Sequence, residues 1–329
     1  MKRLRTFLKG VLIFIACLIL IIIIMQVLPP SKKSAHNSFM KDDKPFLCVD
    51  TSNSSFGPGN TILAFDEALK LDAQVLYVPL CLTKDEKLIC SSKLYLNDFT
   101  DIEVINNSLD YFFISDYLLE EIETLNFGYK YDNGLYKNIL ENVSDKKETL
   151  TNNKLKVVTI EELFIKYKNN NLLFIFDILD ELKRGEIAIE KLISVTNEYN
   201  LSERVIIKSK HENVKNALDK YSTNLFSSTD KEKNNFFLTQ MLGINYFYKS
   251  KFDMVECYNY ETINVLNLFE IKINCFKANY VNRFHRRNVA VLGHIDDESK
   301  IKDILKTNVD IIIMDDVKIL EVVKASLNV

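Results

Sequence analysis

Short apolar runs alternate with longer segments of helical periodicity from residue 46 to the end of the chain. The apolar runs cover residues 46–50, 74–80, 172–178, 204–208, 224–228, 253–257, 288–292 and 310–314. Most are continuously apolar, which is typical of parallel strands that helices cover on both faces. Helical patterns between them cover residues 60–71, 187–199, 212–221, 231–242 and 299–307. Eight strands in β–α alternation predict an α/β fold, a (β/α)8 TIM-type barrel.

Two departures from the alternation add detail. Residues 87–90 follow residues 74–80 too closely for a helical crossover, so we expect an antiparallel hairpin beside the barrel mouth. Residues 93–154 make the longest gap between barrel strands, and we expect this stretch to cover the C-terminal face of the barrel. An open doubly wound sheet is the alternative fold, although no G-x-G-x-x-G loop follows any of the strands.

The N-terminus has a different pattern. Four basic residues precede residues 11–28, which are uncharged and almost wholly apolar and nearly reach the roughly 20 residues that span a bilayer. Because no small-residue cleavage site precedes Pro29, we interpret this run as an uncleaved anchor rather than a cleaved signal peptide. The excess of positive charge before the run places the N-terminus in the cytoplasm and the rest of the chain outside.

The chain therefore divides into four predicted segments. They are a cytoplasmic basic segment (1–10), a transmembrane anchor (11–28), a polar linker (29–45) and the barrel (46–329). The length of 329 residues suits one barrel of about 250 residues with an appendage. This organisation predicts a single-pass protein of the cell membrane with its barrel outside.

Charge and cysteine content narrow the partners. A net charge of −3 and a pI near 5.9 give no basic footprint, which excludes nucleic acid as a partner. The six cysteines form no C-x-x-C or Cys/His cluster, so a structural zinc site is not expected. Cys81 and Cys90 flank the predicted hairpin and would be placed to pair in an exported domain. The alternative, which we favour, is that both are buried free thiols.

Several motifs follow one another in order along the predicted barrel. They are Pro58-Gly59-Asn60-Thr61 at a helix start, Leu82-Thr83-Lys84-Asp85 after the second strand, residues 158–163 (VTIEEL), Gly293-His294-Ile295-Asp296 and residues 309–315 (VDIIIMD). Their order and spacing resemble the glycerophosphodiester phosphodiesterase family, which has PENT, LTKDG, PTLEE, WTVN and GVDGIITD at these places. The resemblance runs from Phe46 nearly to the C-terminus, but residues 93–154 show no match. It implies a phosphodiesterase barrel.

The residues that carry the family's chemistry are of other types here. In the family, two histidines transfer protons, an Arg and a Lys hold the phosphate, and carboxylates hold a divalent metal. The corresponding positions are Asp50 and Thr51 for the first histidine and its arginine, Gly59 for the glutamate of PENT, Tyr77 and Pro79 for two strand carboxylates, Ser92 for the second histidine, and Leu179 for the lysine. Asp177 alone keeps a metal-ligand type. Since one carboxylate holds Mg²⁺ or Ca²⁺ poorly, we expect the inherited mechanism to be lost.

A rebuilt site is the alternative. Asp50, Asp177, Lys208, Glu256 and Asp315 all fall at or near the C-terminal ends of predicted strands, where barrel enzymes keep their chemistry. These side chains would then bind a metal or a cationic headgroup. The simpler interpretation is that they are solvated or cap the helices that follow. Of the four histidines, only His294 could face the mouth, and we favour a surface or capping role for it.

Three functions follow from these observations. We expect a membrane-anchored, catalytically degenerate member of the family that binds a lipid headgroup, a glycerophosphodiester or an envelope polymer, and that needs no cofactor. The first alternative is an active phosphoric diester hydrolase of lipid metabolism with a rebuilt site and a bound Mg²⁺ or Ca²⁺. The second is a structural or regulatory membrane partner. A polar mouth would favour the headgroup-binding protein or the active hydrolase. A mouth plugged by Tyr77 and residues 93–154 would favour the structural or regulatory partner.

Overall fold

The computed structural model describes residues 2–327 except residues 42, 53, 107, 109, 222–223, 266–268 and 296. Asp296, the last residue of one family motif, and residues 328–329 at the predicted end of the barrel therefore lie outside the described residues. The strands are β1 (Phe46–Asp50), β2 (Val75–Leu82), β3 (Leu88–Cys90), β4 (Leu173–Ile178), β5 (Val205–Lys208), β6 (Leu225–Phe226), β7 (Met254–Cys257), β8 (Glu261–Val265), β9 (Phe269–Ile273), β10 (Ala290–His294) and β11 (Ile311–Met314). The helices are α1 (Lys2–Val27), α2 (Ile62–Lys70), α3 (Ile102–Ile105), α4 (Leu119–Ile122), α5 (Lys146–Asn152), α6 (Ile160–Tyr167), α7 (Leu182–Glu198), α8 (Glu212–Leu218), α9 (Asp230–Met241), α10 (Ala278–His285), α11 (Glu298–Leu305) and α12 (Val317–Leu327).

The described strands form a parallel barrel. Eight of them pair in the order β6-β5-β4-β2-β1-β11-β10-β7, and every pairing along this path is parallel. A parallel bridge between Ser227 and Met254 joins the two ends. This confirms the predicted (β/α)8 fold, and the open doubly wound sheet is wrong because the outer strands meet. Each of the eight apolar runs in the sequence overlaps one barrel strand, and β2 and β10 extend two residues beyond theirs.

Two apolar layers hold the barrel together. Residues inside it include Cys48, Ile175, Ile206 and Met254, all fully buried. The larger layer lies between the outer strand faces and the helices, where the rings of Phe174 and Phe176 stack at 5.6 Å. Because both faces of each strand are covered, the strands read as continuous apolar runs.

Threonines begin several helices at the mouth. Thr159 and Thr229 each accept a hydrogen bond from the backbone of a glutamate three residues later, and that glutamate side chain returns to the threonine backbone. Thr61 caps α2 in the same way from its side chain, without the returning carboxylate. These caps satisfy backbone donors at the start of each helix and set the points where strand turns into helix.

The predicted hairpin of residues 87–90 is confirmed, whereas a second hairpin was missed. β3 pairs antiparallel with β2, with Leu80 opposite Cys90. The described cysteines are all free thiols, and burial raises the pKa of both Cys81 and Cys90. The missed hairpin, β8–β9, lies outside the barrel against α9. Its strands alternate polar and apolar residues, which is itself a strand pattern, but the prediction relied on continuous apolar runs and did not include them.

Residues 93–154 border the mouth on the side of β2 and β3. They fold into α3, α4, α5 and irregular segments around a small core of their own, which includes Phe112, Ile122 and Phe127 and reaches Ile89 on β3. Two backbone contacts tie them to the turn after β2: Lys84 N donates to Tyr117 O, and Leu119 N donates to Asp85 Oδ1. The stretch therefore builds one wall beside the mouth.

Residues 29–45, predicted as a polar linker, pack under the N-terminal end of the barrel. Phe39 is fully buried among the residues of the barrel interior. Lys33 Nζ and Ser34 Oγ both donate to the Asp253 carboxylate at 2.5 Å, and Lys41 N donates to Asp310 Oδ1 at 3.2 Å. This segment closes the bottom of the barrel.

Helix α1 leaves the barrel at that closed end. Its window Arg5–Met25 has a mean hydropathy of 3.1 and no buried residue, and it is long and apolar enough to cross a membrane. The Arg286 guanidinium donates to Val27 O and Leu28 O at 2.9 and 2.8 Å. The end of the helix is thus held against the bottom of the barrel.

Candidate functional site

A chain of polar contacts crosses the barrel mouth. The Tyr77 hydroxyl on β2 donates to Asp177 Oδ2 on β4 at 2.5 Å, and Lys208 Nζ at the end of β5 donates to the same hydroxyl at 3.1 Å. The ammonium also lies 3.6 Å from Asp177 Oδ2 and 2.5 Å from Glu256 Oε2 on β7. One internal cation is therefore shared between two carboxylates from non-adjacent strands.

His294 extends this network. Its Nε2 contacts Glu256 Oε1, and its ring stacks on Tyr258 with centroids 4.3 Å apart. The favoured surface or capping role for His294 is therefore wrong: the histidine lies at the mouth, on β10, with its side chain only 24% exposed.

The charges in the network stabilise one another. Burial opposes the ammonium of Lys208, but the Glu256 and Asp177 carboxylates outweigh it and hold the Lys208 pKa well above its usual range. Burial likewise opposes the Glu256 carboxylate, yet Lys208 and His294 hold the Glu256 pKa well below its usual range. Burial, reinforced by the neighbouring Asp177 charge, raises the pKa of Tyr77. The site therefore keeps Lys208 charged, Glu256 ionised and Tyr77 neutral at physiological pH.

Asp50 and Asp315 lie beside this network. With Tyr258 and His294 they line a small pocket of about 100 Å³. Asp50 Oδ1 accepts hydrogen bonds from Ser52 N at 2.9 Å and Ser52 Oγ at 2.5 Å. Burial raises the pKa of Asp50, and the nearby Asp315 charge adds to that shift. The five charged residues predicted at strand ends thus reach one end of the barrel, in two adjacent groups.

A larger cleft of about 210 Å³ opens between the mouth and residues 93–154. It is lined by Ser52, Pro58, Gly59, Ser92, Lys93, Asp98, Phe99, Phe127, Lys130 and Tyr131. Lys93 Nζ lies 3.8 Å from the Asp98 carboxylate, and Lys130 Nζ lies 2.6 Å from the Glu103 carboxylate. These four side chains are 37–51% exposed, so both lysines can reorient toward an anion in the cleft.

The remaining predicted positions, Thr51, Gly59, Pro79, Ser92 and Leu179, carry no acidic or basic side chain. Thr51 is fully buried, and its Oγ1 has no hydrogen-bond partner among the described residues. A Cβ on Gly59 would lie 2.6 Å from Ser52 O, so a glutamate would not fit there without a backbone shift. Pro79 contributes its carbonyl to Ser91 N at 3.0 Å, and Leu179 packs on the small core of residues 93–154. Ser92 lines the cleft.

A family model for the glycerophosphoryl diester phosphodiesterase family matches residues 52–319. The chain belongs to this family. The match confirms the resemblance seen in the motifs and covers the barrel from the turn after β1 into α12.

Relatives and solved structures agree with this membership. A glycerophosphodiester phosphodiesterase of Caldanaerobacter subterraneus subsp. tengcongensis is 28% identical over 166 residues, which are 50% of this chain and 58% of that relative. The glycerophosphoryl diester phosphodiesterase domain of an uncharacterized Mycobacterium tuberculosis protein has a TM-score of 0.64 at 12% identity, over 87% of this chain and 99% of that one. An Oleispira antarctica phosphodiesterase, solved with its product sn-glycerol-3-phosphate, has a TM-score of 0.57 at 11% identity, over 87% and 98% of the two chains. The solved structures share the fold.

The residues at this mouth do not fit the divalent metal that the family resemblance implies. Such an ion takes several oxygen ligands. Within the described part of the chain, no group of three or more His, Cys, Asp or Glu side chains could hold a metal. Asp177 and Glu256 already bind the Lys208 ammonium between them. The Lys208 ammonium thus lies between the two carboxylates, in the position that a metal ion bound by both would need.

Sequence reasoning missed three contributors to the site. Tyr258 supports His294, Ser52 binds Asp50, and Lys130 reaches the cleft from residues 93–154. Tyr258 directly follows β7 and Ser52 lies two residues after the end of β1, and these positions could have indicated both residues. Lys130 has no such signal, because its stretch matches no family motif.

Proposed function

We propose that this family member is anchored in the cell membrane and binds a glycerophosphodiester or a lipid headgroup without hydrolysing it. The position of Lys208 carries the proposal. A buried ammonium neutralises both Asp177, the carboxylate that keeps the family's metal-ligand type, and Glu256, a carboxylate that a rebuilt metal site would need. Expelling it would leave an unpaired buried charge, which is costly.

Proton transfer is impaired as well as metal binding. The family's two histidine positions carry Asp50 and Ser92, and loss of one general acid or base typically costs about 10²–10⁴-fold in rate. Tyr77 does not replace them, because its hydroxyl is already donated to Asp177 and its pKa is raised. The inherited reaction therefore lacks both of its catalytic elements.

The cleft beside the mouth is the proposed binding site. Its two lysines offer ammonium groups to a phosphate, and Phe99 and Tyr131 offer apolar surface to the attached carbons. The Oleispira antarctica phosphodiesterase, whose fold is similar, holds sn-glycerol-3-phosphate. This neighbour supports the choice of a glycerol phosphate group as the ligand.

Membrane anchoring rests on α1. Its apolar window is 21 residues long, about the length that crosses a hydrocarbon core. With basic residues before the span, the proposed topology has a cytoplasmic N-terminus and a barrel outside the cytoplasm. No residue of this window is buried in the fold, and a bilayer would supply the apolar environment that the window lacks.

Charge reversal at Lys130 tests the binding proposal. We expect Lys130→Glu to weaken binding of sn-glycerol-3-phosphate to the full-length protein about tenfold or more, since a charge-assisted hydrogen bond contributes about 1.5–3 kcal/mol. Calorimetric titration in detergent measures the affinity. Lys137→Glu is the matched control, because it changes the net charge equally and lies outside the cleft.

Equal weakening by Lys130→Glu and Lys137→Glu would contradict the cleft as the site. If the unmodified protein bound neither sn-glycerol-3-phosphate nor glycerophosphocholine, the binding proposal would fail and a structural or regulatory membrane role would take its place.

One observation favours an active hydrolase as a second candidate. The imidazole of His294 contacts the Glu256 carboxylate and faces the pocket that holds Asp50 and Asp315. An oriented imidazole next to carboxylates is a common arrangement for a general base. This candidate requires turnover, whereas the favoured proposal requires its absence.

A further inference from the structure

A cluster of exposed apolar side chains lies on the loop after α9. This apolar loop (residues 241–247) contains Leu242 and Phe247, which are 66% and 69% exposed, and Met241 and Ile244, which are 45% and 39% exposed. Four such side chains within seven residues are an unusual density for a water-exposed surface, and contiguous apolar patches commonly mark a contact surface.

The loop is held in place by buried polar contacts. Asn245 is 1% exposed, and its Nδ2 donates to Phe236 O at 3.3 Å and to Thr239 Oγ1 at 3.1 Å. The Arg287 guanidinium donates to Asn245 O at 2.6 Å. The apolar side chains are thus displayed on an ordered support.

The apolar loop lies at the same end of the barrel as α1. In a (β/α)8 barrel, the connections from helix to following strand lie at the N-terminal end, and residues 242–253 connect α9 to β7. The turn Asn245–Phe247 lies against α1. Arg286, in the neighbouring connection from α10 to β10, binds the last carbonyls of α1.

Positive charge accompanies the loop. Burial is the main reason that the pKa of Arg287 is lowered, to about 10, and the nearby charges of Arg286 and Arg283 lower it further. The three guanidinium groups therefore lie close together. Basic side chains beside apolar ones are typical of surfaces that meet anionic lipid headgroups.

We propose that the N-terminal end of the barrel docks on the bilayer that α1 spans, with the apolar loop entering the headgroup region and with Arg283 and Arg286 meeting lipid phosphates, while the buried Arg287 supports the loop. The barrel mouth then faces away from that bilayer. The 12 residues of α9, which run from the mouth to the loop, place the mouth roughly 18 Å further from the lipid. The inference rests on the membrane anchoring in the proposed function. It also narrows the ligand to one that arrives from the aqueous side, such as a free glycerophosphodiester, because headgroups of the anchoring leaflet cannot reach the mouth.

Single tryptophans can report this orientation, because the chain contains no tryptophan. The test variant is Phe247→Trp, with Leu242→Trp as a second reporter if the first fails to fold. Phe14→Trp, near the middle of α1, reports whether the helix is in the bilayer. Tyr260→Trp is the matched control, because Tyr260 follows β7 at the mouth and is 64% exposed. Each full-length variant is placed in nanodiscs of phosphatidylcholine and phosphatidylglycerol with brominated acyl chains, and its emission is compared with that in unbrominated discs.

Docking predicts that Phe247→Trp loses most of its emission, more with bromines near the headgroup than near the chain end, while Tyr260→Trp loses none. Phe14→Trp should show the opposite depth preference. Unquenched Phe247→Trp beside quenched Phe14→Trp would overturn docking and leave anchoring intact. Unquenched Phe14→Trp would overturn the anchoring and the docking with it. Quenching of Tyr260→Trp as strong as that of Phe247→Trp would overturn the orientation.

Discussion

Glu256→Ala is expected to destabilise the folded barrel by about 3 kcal/mol or more. Removing one partner of a buried ion pair typically costs about 3–5 kcal/mol because it leaves an uncompensated charge. The Lys208 and Glu256 side chains are only 17% and 16% exposed. The lower end of the range applies because Lys208 keeps its longer contact with Asp177. Urea unfolding of the full-length protein in detergent at neutral pH, followed by circular dichroism, measures the loss.

The effect should weaken in acid. Because the Glu256 pKa is lowered in the folded state, its ionisation contributes stability above the ordinary glutamate pKa, and that contribution is lost as the pH falls through the lower folded value. The difference between the unmodified protein and Glu256→Ala should therefore shrink on acidification. If the difference in unfolding free energy between the unmodified protein and Glu256→Ala grew in acid, the assignment of an ionised Glu256 paired with Lys208 would be contradicted.

Two further variants isolate the ion pair. Lys208→Met, Glu256→Met and Asp177→Asn together remove the shared ammonium and both of its carboxylates. This combination should recover most of the lost stability, because replacing buried charges by neutral residues of similar size is often neutral. Asp303→Ala removes a carboxylate from a well-exposed pair with Lys306 and should change stability little. If Glu256→Ala were no more disruptive than Asp303→Ala, the network would not hold the mouth.

Phe39→Ala is expected to cost about 3–5 kcal/mol of unfolding free energy, the usual range for removing a fully buried phenylalanine. The prediction follows from the burial of Phe39 in the bottom of the barrel. Urea unfolding by the same protocol measures it. Phe247→Ala is the matched control, and at 69% exposure it should stay within about 0.5 kcal/mol of the unmodified protein. If Phe39→Ala changed the unfolding free energy as little as Phe247→Ala does, the Phe39 side chain would not pack into the bottom of the barrel.

The fold could be predicted well from the sequence because its strands are buried on both faces. Continuous runs such as residues 172–178 and 310–314 carry a strong signal, and β4 and β11 lie within them. The helices were predicted less completely. Neither α10 nor α12 was predicted, although α12, with 11 residues, is longer than α8 or α11. The packing of Phe39 could not be predicted, since two adjacent apolar residues in a polar stretch, Phe39 and Met40, do not reveal their partners far along the chain.

The site could be predicted only in part. Residues at strand ends must reach the barrel mouth, so Asp177, Lys208 and Glu256 were placed there correctly. The pairing of these charges depends on the order of the strands and on the length of each side chain. Strand order cannot be inferred from the local sequence. His294 shows the limit: its position after a strand was seen, but its contact with Glu256 requires β7 and β10 to be neighbours.

An internal lysine offers a simple physical way for a barrel mouth to hold two carboxylates close together without a metal ion. The carboxylates Asp177 and Glu256 would repel each other in a low-dielectric mouth without a cation. In this chain Lys208 supplies that cation covalently, and the ion pairs need no metal. The surrounding strands are then free to keep their apolar pattern.

An assay of phosphodiester hydrolysis tests most directly whether a mouth occupied by Lys208 is inactive. The full-length protein in detergent would be incubated with glycerophosphocholine and Mg²⁺, Ca²⁺ or Mn²⁺, with chelator and Asp177→Ala as controls, and the products followed by phosphorus NMR. With Lys208 bound between Asp177 and Glu256, we expect no release of glycerol 3-phosphate above the protein-free sample. Release that requires the metal and disappears in Asp177→Ala would contradict it and establish a working site at this mouth.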